Sequence, residues 1–373
     1  MKNIVNLGNV ATYINGYAFK PSDWAEDGTP IIRIQDLTGN SYQMNRFKGK
    51  VDSKYNVISG DVLISWSASL GVYVWNRGDA VLNQHIFKVV FDKMEVDKDF
   101  FVFQVDNLLK RAANQAHGAT MRHLTKPVFD ALPFYLPDIK TQRLISSKLN
   151  LIGHLIEDHH NQLKKLDELI RSRFLELFGD PLAGNAKWPI HNLCMVADAI
   201  DPQPSHRTPP IDKNGIPYIS IKDCDYNTGK IDFEKARKVN VKVLQEHKTR
   251  YQIHNGDMMI GKIGTIGYPV FLPTYETYTL SANVILIQPN KSKVQPCFLK
   301  YSLESPYVES QFDKAKHSTS QSAFGILKIR KIKVMNPELS IQNQFADFVN
   351  QVDKSKYRGT ISLHLLEDVS HML

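Results

Sequence analysis

The feature that most constrains this 373-residue chain is that it repeats itself at a spacing of roughly 200 residues. Gly28-Thr-Pro30-Ile-Ile32-Arg-Ile34-Gln-Asp36 returns as Gly215-Ile-Pro217-Tyr-Ile219-Ser-Ile221-Lys-Asp223. Gly60-Asp61-Val-Leu-Ile64 returns as Gly256-Asp257-Met-Met-Ile260, and Gly71 falls on Gly267. Leu82 to His85 sits opposite Leu280 to Asn283, His117 opposite His317, and Pro137 with Gln142 opposite Pro337 with Gln342. The offset drifts from 187 to 200 with no change of order. A duplicated domain whose loops have taken up insertions gives this pattern, whereas a solenoid needs a much shorter period.

Each copy reads the same way. A β-rich segment opens it, with alternating stretches at residues 31–34 and 218–221 separated by turns at Gly28, Gly60, Gly215 and Gly256. The sequence predicts a short helix at Phe100–Ala113 and again at Phe298–Phe312, then a polar loop and a final strand, Ala131–Leu136 or Lys331–Met335. Heptad spacing takes over after each final strand. In the first copy it runs Gln142, Ile145, Leu149, Ile152, Ile156, His159, Leu163, Leu166, Ile170, Arg173, Leu177, in steps alternating between three and four residues. Phe178-Gly179-Asp180-Pro181 ends it. The second seam, Gln342, Phe345, Val349, Val352, Lys356, Gly359, Leu363, Leu366, is expected to be interrupted at Lys356 and Gly359, and it stops at Leu373 without a counterpart of residues 174–181.

The expected fold class is α+β: two similar β-rich domains joined by long antiparallel coiled-coil helices, pseudo-twofold symmetric. The expected boundaries are 1–138 for the first domain, 139–182 for the central helix, 183–338 for the second domain and 339–373 for the C-terminal helix. Such a chain can match two DNA half-sites as a symmetric dimer does, and because its halves differ, so can the half-sites.

Charge supports a polyanionic partner. The formal net charge is +8, and residues 181–373 hold 24 of the basic and 18 of the acidic residues, supplying +6 of it. Cys194, Cys224 and Cys297 lack C-x-x-C spacing, which argues against a disulfide framework or a zinc site and for a reducing compartment. The N-terminus has no apolar signal core, and no apolar run spans a bilayer. A cytoplasmic protein with no membrane partner is expected.

Catalytic constellations fail one by one. Gly256 to Lys262 satisfies G-x4-G-K, but Ile263 stands where a phosphate-binding loop needs Ser or Thr for Mg²⁺, so a strand and glycine turn is the better reading. Thr208-Pro209-Pro210-Ile211 does not qualify as an amino-methyltransferase motif, and Pro137-Asp138 with Lys140 has no second carboxylate to make a nuclease site. His159, at a heptad position, reads as a register-setting polar residue rather than a metal ligand.

The Gly-x-Pro-…-Asp openings, the Gly-Asp-apolar segments at 60–64 and 256–260, the Pro-x4-Gln junctions at 137–142 and 337–342, and the helix ending Phe174 to Pro181 together resemble type I restriction-modification specificity subunits over essentially the whole chain. That resemblance implies that each β-rich repeat is a target-recognition domain for one part of a bipartite site in double-stranded DNA, with the helices setting the gap. It implies two docked methyltransferase subunits that methylate adenine N6, and restriction subunits that cut unmodified DNA. No cofactor is expected on this chain, with S-adenosylmethionine, ATP and Mg on the partner subunits. A stand-alone DNA-binding regulator and a non-catalytic coiled-coil scaffold are the alternatives.

Residues expected to face DNA lie where the repeats agree in position but differ in sequence. One set is His117, Thr120, Arg122 and Lys126 against Lys316, His317, Ser320, Gln321 and Lys328. A second is Ser65 and Ser67 against Lys262 and Thr265, and a third is Asn83, Gln84 and His85 against Ser281 and Asn283. Arg46, Lys48 and Lys50, with Lys235, Arg237, Lys238, Lys248 and Arg250, are candidate phosphate contacts.

Overall fold

The computed structural model describes residues 3–40, 43–115, 125–225, 228–262, 266–317 and 325–372, and only the backbone at 114–115, 315–317 and 368–372. The first repeat forms β1 (Ile4–Asn6), β2 (Thr12–Asn15), β3 (Thr29–Ile32), the short helix α1 (Ile34–Leu37), β4 (Arg46–Phe47), β5 (Asn56–Val57), β6 (Val62–Ser65), β7 (Gly71–Val74), β8 (Ala80–Leu82) and β9 (Ile86–Val90). Helices α2 (Lys98–Gln115) and α3 (Lys126–Asp130), strand β10 (Pro133–Tyr135) and the 40-residue helix α4 (Ile139–Phe178) follow.

The second repeat forms β11 (Ile190–Asn192), β12 (Ala197–Ile200), β13 (Ile216–Ile219), β14 (Lys238–Val239), α5 (Val241–Lys248), β15 (Met258–Gly261), β16 (Val270–Phe271), β17 (Thr279–Leu280) and β18 (Val284–Pro289). Then come α6 (Pro296–Leu303), α7 (Pro306–His317), α8 (Ile326–Arg330), β19 (Lys333–Met335) and α9 (Leu339–Met372).

The duplication holds in the first sheet of each repeat and in the parallel pair of the second. A four-stranded antiparallel sheet in the order β2-β9-β6-β7 is matched by β12-β18-β15-β16. A second sheet holds a parallel pair, β3–β8 in the four-stranded order β4-β3-β8-β5 of the first repeat and β13–β17 in the three-stranded order β14-β13-β17 of the second. The central strand of each large sheet is buried on both faces, which explains the unbroken apolar runs after Gly-Asp. Val62 and Ile64 pack with Phe101 and Phe134 beneath the helices, and Leu63 packs with Ile32 and Leu82 on the other face. Met258 and Ile260 likewise join Phe298, while Met259 joins Ile219 and Leu280. Gly60 and Gly256 enter these strands at φ +99° and +92°, a left-handed turn that favours glycine. The next residue closes it: Asp61 accepts the Ile58 N–H at 2.9 Å and Asp257 the His254 N–H at 2.8 Å.

Two local features differ from the sequence reading. The helix expected over residues 298–312 is split into α6 and α7, because Pro306 has no N–H to continue the ladder and its ring excludes a helical Ser305 upstream. The loops ahead of β10 and β19 each contain a short helix, α3 and α8.

The heptad residues of α4 form its buried or half-buried stripe from Gln142 to Leu177. By contacts the chain divides into two compact units, residues 1–157 with 366–373 and residues 158–365, so the boundary cuts through α4. Within the second unit α4 and α9 run antiparallel. Phe174 and Phe178 meet Phe345 with ring centroids 5.5 and 5.6 Å apart, and Asp167 pairs with Lys356 at 2.5 Å. The expected interruption at Lys356 and Gly359 does not break the helix. Lys356 is neutralised across the seam, and Gly359 faces Leu163, whose Cδ2 would make an ordinary van der Waals contact at 3.4 Å with a Cβ added there.

One buried glutamine fixes each junction between β-domain and helix. Gln142 Oε1 accepts the Asp97 N–H at 2.9 Å while its Nε2 donates to Pro137 O at 2.8 Å. Gln342 repeats both bonds, to Gln295 N–H at 2.8 Å and Pro337 O at 2.6 Å. Gln342→Ala leaves these backbone groups buried and unpaired, a cost of about 1–3 kcal/mol. Calorimetry should show a lower midpoint for unfolding of the second unit, and an unchanged midpoint would mean that solvent replaces the amide.

Candidate nucleic-acid interface

In the first repeat, the C-terminal ends of β2 and β6 and the N-terminal end of β9 meet at one end of the sheet, where Asn15 pairs with Phe87 and Ser65 with Ile86. Three turns therefore converge there. The Tyr17 N–H donates to Leu82 O at 2.8 Å, the Gln84 N–H to Tyr17 O at 2.8 Å, and the Trp66 N–H to His85 O at 3.3 Å. Gly16 is required at this crossing, since a Cβ would come within about 2 Å of the Asn83 carbonyl. Ala68 and His85 hold left-handed backbone at φ 59° and 73°, strain of the kind found where a loop must present a fixed surface. Asn83 Oδ1 and His85 Nδ1 are buried with no hydrogen-bond partner among the described residues.

The second repeat builds the same end from different chemistry. The Lys262 N–H donates to Asn283 O at 2.8 Å, as Trp66 does to His85. Trp66 Nε1 donates to Asn15 Oδ1 at 3.2 Å; at the matching positions Lys262 Nζ meets Asp201 Oδ2 at 2.7 Å. Lys262 and Asp201 side chains are only 6% and 14% exposed, and His206, itself at φ 52°, places Nδ1 3.3 Å from the ammonium. Behind these turns the Tyr218 hydroxyl donates to Gln203 Oε1 at 2.9 Å and accepts the Ala282 N–H at 3.1 Å. Burial pushes the Tyr218 and Tyr251 phenols up and the His247 imidazole down, so all three stay neutral and serve as struts.

The expected contact residues separate into two groups. Gln84 and His85 are half-buried on the turn and Asn283 is exposed, so their side chains are available at this end. Asn83 is half-buried with them. Arg46 is exposed and donates to Gly28 O at 2.8 Å; Lys48 pairs with Asp27 at 3.0 Å across solvent, the two being 74% and 69% exposed. So exposed a pair is weakly held and can exchange its carboxylate for a phosphate. Lys126 pairs with Asp130 at 2.8 Å, and Lys328 is half-buried on α8. Ser65, Ser67, Ser281 and Lys262, by contrast, are buried. Ser65 Oγ donates to Ser67 O at 3.1 Å, which makes it turn support, and Lys262 spends its charge on Asp201. The G-x4-G-K match is thus a strand, β15, running into a buried ion pair. His117, Thr120, Arg122, Thr265, Ser320 and Gln321 lie outside the described residues, as do the side chains of Lys316 and His317.

Asn15, Asp201 and His206 were not legible as a site. The repeat register of the opening segment sets Asn15 against Pro202, and only the side-chain contacts identify Asn15 and Asp201 as the partners of Trp66 and Lys262. Among the described residues no cluster of His, Cys, Asp or Glu could hold a metal ion, and no helix is long and apolar enough to cross a membrane.

A duplicated domain that brings variable turns to one end of a conserved sheet defines a class of recognition protein, and sequence comparison gives the class its identity. The family described as type I restriction modification DNA specificity domain matches residues 2–168 and again 205–361, and the chain belongs to that family. Its role is that of a type I specificity subunit, a DNA-binding component of a multisubunit restriction-modification complex rather than a catalytic one. It is 21% identical over 376 residues to the EcoBI specificity subunit of Escherichia coli, covering 93% of this chain and 78% of the relative. It is 20% identical over 370 residues to the MjaVIII specificity subunit of Methanocaldococcus jannaschii, covering 94% and 85%. The fold matches the crystal structure of a type I S subunit from M. genitalium with TM-score 0.55 and 14% identity, over 99% of this chain and 94% of that one. A chain from a structural study of assembly and conformational transition in the type I R-M system matches with TM-score 0.63 and 15% identity, over 99% and 95%.

The buried Lys262–Asp201 pair predicts strong coupling. Lys262→Met alone strands a carboxylate and should cost about 3–5 kcal/mol, whereas Asp201→Asn combined with Lys262→Met should cost much less. Urea unfolding of the two single variants and the double closes the cycle; additive losses would mean that the contact carries no energy.

Proposed function

We propose that this chain reads a split target in double-stranded DNA through two recognition domains, residues 1–138 and 183–338, with the helices of 139–182 and 339–373 setting the gap between the half-sites. On this reading the helices also dock two methyltransferase subunits, which supply S-adenosylmethionine and methylate adenine N6, and restriction subunits join with ATP and Mg to cut unmodified DNA in the cytoplasm. One observation carries it: in both repeats the same sheet end is held by equivalent backbone bonds, Trp66 N–H to His85 O with Asn83 N–H to Ile32 O in the first and Lys262 N–H to Asn283 O with Ser281 N–H to Ile219 O in the second, but is lined by different side chains. A shared frame with unlike linings is what two different half-sites require. Gln84 and His85 in one repeat and Asn283 in the other are suited to base edges, and Arg46, Lys48, Lys126 and Lys328 to phosphates or the rim. The segments at 116–124 and 318–324 belong to the same proposal by their sequence.

The test is modified-base sequencing of DNA from cells that express this chain with the methyltransferase subunit of its own system. Methyladenine should appear in both parts of a split motif and vanish when either protein is omitted. Gln84→Ala should relax one part and Asn283→Ala the other. No new methylation from two soluble, associated proteins would count against the reading.

Affinity supplies an independent check. The logarithm of the DNA association constant should fall linearly with the logarithm of salt concentration, with a slope of about −0.9 per neutralised phosphate. A flat response would favour a protein scaffold.

A further inference from the structure

Arg33 immediately follows β3, and Asn83 at the head of the half-buried turn of residues 83–85 donates its N–H to Ile32 O at 3.1 Å. The arginine therefore leaves the fold beside the turn that the proposed function assigns to DNA. Its backbone is anchored, because the Arg33 N–H donates to Asp36 Oδ2 at 2.8 Å. Its guanidinium is aimed by two neutral groups: Nη1 donates to Asn45 Oδ1 at 3.1 Å, and the group lies 5.3 Å from the ring centre of Trp24, which is 42% exposed. That is the only side-chain hydrogen bond of Arg33 among the described residues, and it forms no ion pair with a carboxylate there. Asp36, the carboxylate closest in the chain, is buried, with Oδ2 on the Arg33 N–H and Oδ1 without a hydrogen-bond partner among the described residues.

A half-buried guanidinium ordered by an amide and an indole retains its full charge and unused donors in a planar fork. The two adjacent acceptors of a guanine edge in the major groove, O6 and N7, match that fork. The same anchor recurs in the second repeat, where the Ser220 N–H donates to Asp223 Oδ2 at 2.7 Å, but there the side chain is a hydroxymethyl group. The position is thus held constant in backbone and varied in chemistry, as a specificity position must be.

We propose that Arg33 is a specificity-determining residue that reads a guanine in the half-site of the first recognition domain; this rests on the split-target reading above. Neither Trp24 nor Asn45 touches the base in this assignment; both position the fork.

The experiment uses the full chain in complex with its modification subunit, after the methylated motif has been established. Duplexes carrying 7-deazaguanine at each guanine of the motif in turn remove N7 without disturbing base pairing. One such duplex, in the half-site that Gln84→Ala relaxes, should bind the wild-type complex roughly 10- to 100-fold more weakly. Arg33→Ala should bind that duplex and the unmodified one equally, and its methylation motif should relax at that position only. Arg33→Lys keeps the charge but not the fork, and should retain binding while losing the same discrimination. Retained 7-deazaguanine sensitivity in Arg33→Ala would overturn the assignment. So would a first half-site without guanine, or equal relaxation of both half-sites. A wild-type complex that methylates no split motif would instead remove the functional reading on which the assignment stands.

Discussion

A single amide side chain sets the relation between each β-domain and the helix that leaves it. Gln142 and Gln342 are almost wholly buried, and each bonds both to the carbonyl of the proline that ends the domain and to the N–H at the start of the helix layer, α2 or α6. A bond to one partner would leave the helix free to pivot about it. Two bonds from one planar group fix its direction as well as its origin. The heptad stripes begin at these same residues, so the direction in which each coil starts is decided where the domain ends.

Recognition proteins must vary their surface without losing their fold, and the two sheet ends show how this chain separates the tasks. The backbone bonds from Trp66 to His85 and from Lys262 to Asn283 are equivalent, whereas the side-chain bonds behind them are not. An indole–amide pair and an ion pair fill the same place. The indole also stacks on Phe87, with ring centroids 5.6 Å apart, so it contributes to the core as well as to the turn. The ion pair needs shielding from water and gets it from the surrounding turns and from His206.

The duplication, the heptads and the Gly-Asp strand entries were readable because each is a periodic or paired signal. The Gly-Asp turns marked where a strand begins, and the packing of Leu63 and Met259 opposite their neighbours shows why the apolar run after each is unbroken: that strand is buried on two faces. The site was only partly readable. Lys262 looks like a DNA-facing side chain in sequence because a lysine after a glycine is usually solvated; its partner Asp201 is 61 residues away and is brought near only by the fold. Arg33 escaped notice for a related reason, since nothing in its own segment distinguishes it from a strand-end charge until Trp24 and Asn45 are seen to frame it. Gly359 and Lys356 read as faults in a seam, yet both are accommodated by what lies across from them.

The pairing of β1 with β10 and of β11 with β19 carries a consequence for how such a protein can change. Ile4 lies opposite Tyr135 and Ile190 opposite Met335, so the chain enters and leaves each β-domain at neighbouring points on a common antiparallel ribbon. A domain zipped shut at its own ends is a cassette. Its interior can be exchanged for one of different length and lining, while the ribbon and the glutamine beyond it hand the chain back to the helix at the same place. A differently lined surface is then available by exchanging a whole unit, with no need to refine a working one residue by residue.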